Sequence, residues 1–141
     1  MNEVNKKCVM VIDGTLPTGI IANTAAALGV SLGKQMPELV GAEVEDSEKK
    51  RHLGIVNVPI AMLQGSRETL KRLRETLYCD KFKDIVVIDF SNVAQRCNSY
   101  SQYQQEAAAT PKTEYEYLGI VIYGDKKQIN KLTGSMPLLK G

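Results

Sequence analysis

KCVMVIDGTLPTGIIANTAAALGVSL, from Lys7 to Leu32, is the stretch whose reading decides the fold. Val9–Ile12 is an unbroken apolar run, which suits a strand covered on both faces, since a half-exposed strand would alternate. Asp13 ends the run, and Gly14, Thr15 and Pro17 make a turn, with Thr15 or Thr18 expected to cap the helix that follows. In that helix Ile21, Ala25, Leu28 and Leu32 fall on one face at i, i+4, i+7 and i+11, while Ala22, Ala26 and Ala27 keep its surface narrow. A strand, a tight turn and a smooth helix of this kind bring the strand's end and the helix's unpaired N–H groups to one crevice, where α/β proteins bind ligands.

Working outward, the spacing predicts a short strand within Gly41–Asp46, a solvated loop over the mixed charges Glu45–Arg51, and a second main strand over Leu53–Val58 closed by Pro59. Ser66 caps a helix whose buried stripe is Leu70, Leu73 and Leu77. Its Arg67, Lys71 and Arg74 lie on another face, available to meet phosphates or, since Glu68 and Glu75 dilute their charge, to form a solvated exterior. DIVVIDF, Asp84–Phe90, repeats the opening pattern and ends in Asp89. Ser91 or Asn92 then caps a helix expected to continue to Thr110, stopped by Pro111. YLGIVIY, Tyr117–Tyr123, is a further strand in which Gly119 permits close backbone approach. A short helix carrying Ile129 and Leu132 stops at Gly134, and Met136–Leu139 is expected as a final edge strand, a position that tolerates Pro137. Strands alternating with helices predict one α/β domain over 1–141, a three-layer α/β/α sandwich with a mixed, mainly parallel sheet.

The 141 residues suffice for a hydrophobic core without disulfides or metal. A net charge of +2 does not favour nucleic acid or an anionic membrane surface as partner, so any basic surface is local. Cys8, Cys79 and Cys97 are far apart with no CxxC pair, and His52 is the sole histidine, so neither a metal site nor a cofactor is suggested. Without an apolar leader or spanning segment, a cytoplasmic protein is expected.

The C-terminal segment LGIVIYGDKKQINKLTGSMPLL resembles the end of type II peptidyl-tRNA hydrolases, where an Ile-Asp-x-Val-Thr-Gly sequence, here Ile129–Gly134, precedes the last strand. The opening strand, turn and Gly19–Ala22 helix start resemble that family's beginning, which implies the same fold. Ile20, Thr24 and Ala27 stand where that family places a lysine, a glutamine and a histidine, Asp89 matches its later aspartate, and Val93 stands at its threonine. VIDGTLPTGIIANTAAALG and PIAMLQGS look similar to an uncharacterised bacterial family with this fold, a resemblance that implies no activity.

Asp13 and Asp89, both at strand ends, are candidate acid/base residues if their carboxyl groups approach; alternatively each accepts hydrogen bonds in its own turn. Thr15, Thr18, Gly19 and Asn23 surround the first helix N-terminus, with Ser91 and Asn92 at the later strand end, as candidate ligand-binding groups. Neither GxxxxGK[ST] nor GxGxxG is present. Three functions stay open: binding of a small polar or anionic ligand at the first turn, hydrolysis of an ester or amide, and an interaction module that forms a homodimer. A deep crevice holding both aspartates would favour the enzyme, an anion pocket the binder, and an apolar patch the interaction module.

Overall fold

A computed structural model describes residues 5–140. The chain runs β1 (Lys6–Asp13), α1 (Thr18–Gln35), β2 (Val44–Glu45), β3 (Arg51–His52), β4 (Ile60–Gly65), α2 (Arg67–Leu77), β5 (Val86–Ser91), α3 (Asn92–Gln95), α4 (Tyr100–Ala109), β6 (Tyr117–Asp125) and α5 (Lys126–Thr133). Four strands form the main sheet in the order β4-β1-β6-β5, and β2 and β3 form a separate hairpin.

The sheet is mixed, as the sequence predicts, but only β1 and β4 are a parallel pair. β6 enters between β1 and β5 and runs against both. A continuous apolar run such as Leu118–Tyr123 reads the same in either direction, so the expectation of a mainly parallel sheet fails at this insertion; β1, β4 and β5 do share one direction.

Strand alternation divides the core into two layers. Val9, Val11, Leu63, Ile120 and Ile122 meet Leu70, Leu73 and Leu77 of α2 and Ile129 of α5. Cys8, Met10, Ile12, Val121 and Tyr123 meet Leu28 and Leu32 of α1 on the other face. Each fully buried Leu or Ile contributes roughly 1.5–3 kcal/mol relative to exposure, so β1 and β6, buried along nearly all their length, hold the fold. Gly119 sets how close α1 comes: a Cβ there would lie 2.7 Å from Thr24 Cγ2 and 2.8 Å from Ile12 Cδ1.

Two further expectations are corrected and a third is met. The second main strand begins at Ile60 rather than Leu53, because Pro59 lacks the N–H that a strand interior needs and stands just before it. Leu53 and Ile55 instead point outward from an arm over residues 40–58, where Gly41 N–H donates to Ile55 O (2.9 Å) and Asn57 N–H to Leu39 O (2.8 Å). The helix expected to run from Ser91 to Thr110 breaks at Cys97–Asn98, since Ser91 caps α3 and Ser99 accepts from Gln102 N–H to start α4 afresh. The final edge segment is present: Gln64 N–H donates to Pro137 O and Leu139 N–H to Met62 O, laying Leu138 antiparallel to Leu63. Among the described residues no helix is long and apolar enough to cross a membrane.

Candidate functional site

The first turn is built around Asp13. Its carboxylate, buried at the end of β1, accepts the Thr15 N–H (2.9 Å) and the Thr15 hydroxyl (2.7 Å) through Oδ1. Thr15 is therefore engaged in closing the turn, and the expectation that Thr15 or Thr18 caps α1 is not met. Pro17 occupies the cap position, no side chain accepts from the first-turn amides, and that turn carries no acidic residue. An 18-residue helix thus presents an uncompensated positive dipole end. Thr18, Gly19 and Asn23 are exposed around it.

Ser91 and Asn92 have structural partners. Ser91 Oγ accepts the Ala94 N–H (3.3 Å). Asn92 Oδ1 accepts the Val93 and Glu116 N–H groups, and its amide donates to Glu114 O. Ser91 caps α3, and Asn92 ties α3 to the segment entering β6.

The two aspartates are not brought together. Strand spacing and rise place their Cα atoms about 12 Å apart, because β6 lies between their strands and Asp89 pairs two residues deeper. Asp89 Oδ2 accepts from Arg74 Nε at 2.7 Å, the two side chains being 20% and 13% exposed, and the Arg74 guanidinium lies 3.9 Å from the centre of the Tyr78 ring. The carboxylate is thereby neutralised. The basic face of α2 is likewise not a free exterior: Arg67 pairs with Glu116 (3.6 Å), and Lys71 donates to Thr113 O (3.0 Å).

What lies next to Asp89 is a groove of about 470 Å³ between α1 and the β5–α3–α4 segment. Ala27 and Ser31 form one wall, Ile88 to Phe90 the floor, and Cys97 to Tyr103 the other wall. It exists because α3 and α4 are separate helices, so the chain steps away from the edge of β5 before returning. The rings of Tyr100 and Tyr103 meet edge to face at 5.5 Å. Burial and then the Asp89 carboxylate push the Tyr103 phenol upward, leaving it a hydrogen-bond donor at neutral pH. Burial, and secondarily the same carboxylate, push Tyr117 to about 12. Cys97 Sγ donates to Val93 O (3.2 Å). The lining therefore offers flat apolar surface, hydroxyls and an amide, with its one charged carboxylate already paired.

The first turn and the groove share one helix face. Gly19, Asn23, Ala27 and Ser31 are spaced four residues apart along α1, each a small side chain, and the last two line the groove. Reasoning from sequence singled out the first two and missed Ser31, Arg74, Tyr100 and Tyr103. The four-residue series was visible in the sequence, and so was Asn98–Ser99 as a helix stop and restart. Nothing in sequence marks the Arg74–Asp89 pairing, which depends on α2 and β5 meeting in space.

Other candidates lie elsewhere. His52 Nε2 is 2.8 Å from Asp46 Oδ2 on the exposed hairpin, and that hydrogen bond, with the Lys50 and Glu48 N–H groups, lowers the Asp46 carboxyl. Cys8 is buried in β1, its thiol pushed up to about 11. Among the described residues no three His, Cys, Asp or Glu side chains are grouped to hold a metal.

Comparison with known proteins agrees with this architecture. A protein of unknown function from Agrobacterium tumefaciens strain C58 has a similar structure, with a TM-score of 0.84 and 16% sequence identity over 95% of this chain and 97% of that one. At that identity the likeness concerns the fold alone. No curated protein matches the sequence. The sequence pattern of a protein family matches residues 6–140, nearly the whole chain, and the chain belongs to that family, described as "Protein of unknown function (DUF2000)".

Proposed function

We propose that the protein binds a small polar molecule in the groove between α1 and β5–α3–α4, with a polar or anionic end at the uncapped N-terminus of α1. The observation that carries this reading is a cavity of ligand size lined by Ala27 and Ser31, on the helix face that carries Asn23 and Gly19 nearer the N-terminus. The groove supports binding better than hydrolysis, because Asp13 and Asp89 each have a separate partner and the sole histidine sits on the hairpin. The likeness of both chain ends to type II peptidyl-tRNA hydrolases supports a common architecture, while Ile20, Thr24 and Ala27 supply none of the proton-transfer or cationic groups of that pattern.

A thermal-shift screen of polar and anionic small molecules tests the proposal. Compounds that stabilise the protein are expected to lose their effect in Ala27→Phe, which fills the groove. Anionic ones are expected to lose it in Thr18→Asp, which places a carboxylate at the helix terminus without weakening the helix. Stabilisation that survives both substitutions would overturn the assignment.

A second reading, self-association, is favoured by the arm: Val44 on the two-stranded hairpin and Leu53 and Ile55 just after it are 61%, 79% and 78% exposed, and such a hairpin seldom stands alone. A homodimer by analytical ultracentrifugation that Leu53→Ser with Ile55→Ser converts to monomer would support it; a monomeric wild-type protein would remove it.

A further inference from the structure

The opposite end of the sheet carries a second cavity, of about 380 Å³, at the start of β1. Its rim is Lys6, Lys7 and Lys126, its walls include Cys8, Pro59 and Tyr123, and among the described residues no carboxylate lines it. The topology creates this cluster. In the antiparallel pairing of β1 with β6, Lys6 lies opposite Asp125, the residue before α5, so the first two residues of β1 meet the first residue of α5. Lys127 adds a fourth ammonium group in an adjoining hollow with Asn5 and Asp125.

Among the described residues none of the four lysines makes an ion pair with Asp or Glu. Lys7 Nζ donates to the neutral Asn130 Oδ1 at 2.6 Å. Asp125 accepts the Gln128 N–H at 3.0 Å as the cap of α5, and Glu38 and Asp84 line an adjoining hollow that shares Lys6 and Tyr123. Three of the four lysines rim a cavity that no carboxylate of the described residues lines, while Asp125, Glu38 and Asp84 lie in the adjoining hollows, so the positive charge is local to the rim itself. Like charges gathered around a concave, partly apolar surface raise its potential and attract a counter-anion.

The floor defines the rest of the ligand. Cys8, Val58, Pro59, Ala61 and the mostly buried Tyr123 offer apolar surface. Burial keeps the Cys8 thiol protonated at neutral pH, so it contributes surface rather than a nucleophile. The volume is near the lower end of the range for small-molecule sites, enough for one ring or a short chain with its head group.

We propose that this lysine-rimmed cavity binds a small organic anion, a phosphate or carboxylate carried on an apolar body. The ammonium groups hold the head group and the floor takes the body.

Titration of isotope-labelled full-length protein, followed by amide NMR, tests this with four probes: phenyl phosphate, benzoate, benzyl alcohol and inorganic phosphate. Phenyl phosphate or benzoate is expected to give saturable shifts at Lys7, Cys8, Ala61 and Lys126, with the stronger of the two identifying the preferred head group. Benzyl alcohol, without charge, and inorganic phosphate, without body, are expected to bind at least about tenfold more weakly. Lys6→Gln with Lys126→Gln alters two exposed side chains, so melting is unchanged while aryl-anion affinity falls about tenfold or more. No saturable shift with either aryl anion, or undiminished binding by the double variant, overturns the proposal. So does equal binding of benzyl alcohol. Binding of an oligouridylate that strengthens with its length and displaces phenyl phosphate would assign the lysines to nucleic acid and overturn it as well.

Discussion

Gly119→Ala is the sharpest perturbation of this fold, because two opposing effects can be weighed. Gly119 lies in the central strand β6, opposite Ile12 of β1 and Phe90 of β5, on the face that packs against α1. A methyl group there would stand 2.7 Å from Thr24 Cγ2, 2.8 Å from Ile12 Cδ1 and 3.2 Å from Leu28 Cδ1. Carbon atoms rest about 3.5–4.0 Å apart, so these neighbours must give way by about 1 Å. Ile12 and Leu28 meet the methyl with side-chain ends, but Thr24 is β-branched and stiff on a helix already seated against the sheet. Overpacking of this kind costs about 1–3 kcal/mol, and replacing glycine in a strand returns roughly 0.5–1 kcal/mol. Overpacking wins, for a net loss of about 1–2 kcal/mol. The chain has no tryptophan, so urea unfolding followed by far-ultraviolet circular dichroism is the assay. In a Thr24→Ser background, which deletes Cγ2, the same substitution is expected to cost about 1 kcal/mol less. A neutral or stabilising Gly119→Ala, or a cost unrelieved by Thr24→Ser, would refute the reasoning.

Four further outcomes are expected. Thr24 Oγ1 is buried without a protein partner, so Thr24→Val should raise stability by about 1 kcal/mol in the same unfolding assay; a loss would mean that the hydroxyl is satisfied by water. Asp89→Asn should destabilise by about 1.5–3 kcal/mol, since it leaves a mostly buried Arg74 without its charged acceptor, whereas an acid/base residue would leave the unfolding curve unchanged. Thiol-reactive reagent at neutral pH should label exposed Cys79 first, Cys97 more slowly, and Cys8 only on unfolding; early loss of Cys8 would contradict its burial. Tyr117 ionises more readily unfolded than folded, so it contributes stability that is fully present below pH 10 and lost as pH rises towards 12; Tyr117→Phe should flatten that part of the stability profile, as read by denaturation at several alkaline pH values.

The parts of the fold legible in sequence are those fixed by local chemistry. The run Val9–Ile12, the leucine stripe of α2 and the caps at Ser66 and Ser91 all act within a few residues of where they are read. Gly119 was readable as a point of close approach for the same reason, its missing side chain. Strand direction was not, because both faces of β6 are buried and its pattern carries no sign of which neighbour it joins. Leu53–Val58 misled because apolar content outweighed the proline, and the true strand, IAMLQG, is only partly buried and less strongly patterned. At the site, Gly19 and Asn23 were legible from the helix start, whereas Asp89 appeared as a free strand-end carboxylate until α2 brought Arg74 to it. Tyr100 and Tyr103 fall within the helix expected to run to Thr110, and only its restart at Ser99 sets them beside β5.

The central claim is that the groove beside α1 is a ligand site, and the most direct measurement is a crystal structure of the protein soaked with compounds that stabilise it. Ligand density is expected between Ser31 and Tyr103, with a polar end directed along Asn23 toward the Thr18 and Gly19 amides. Ordered density for those same compounds elsewhere, with the groove unoccupied, would contradict it.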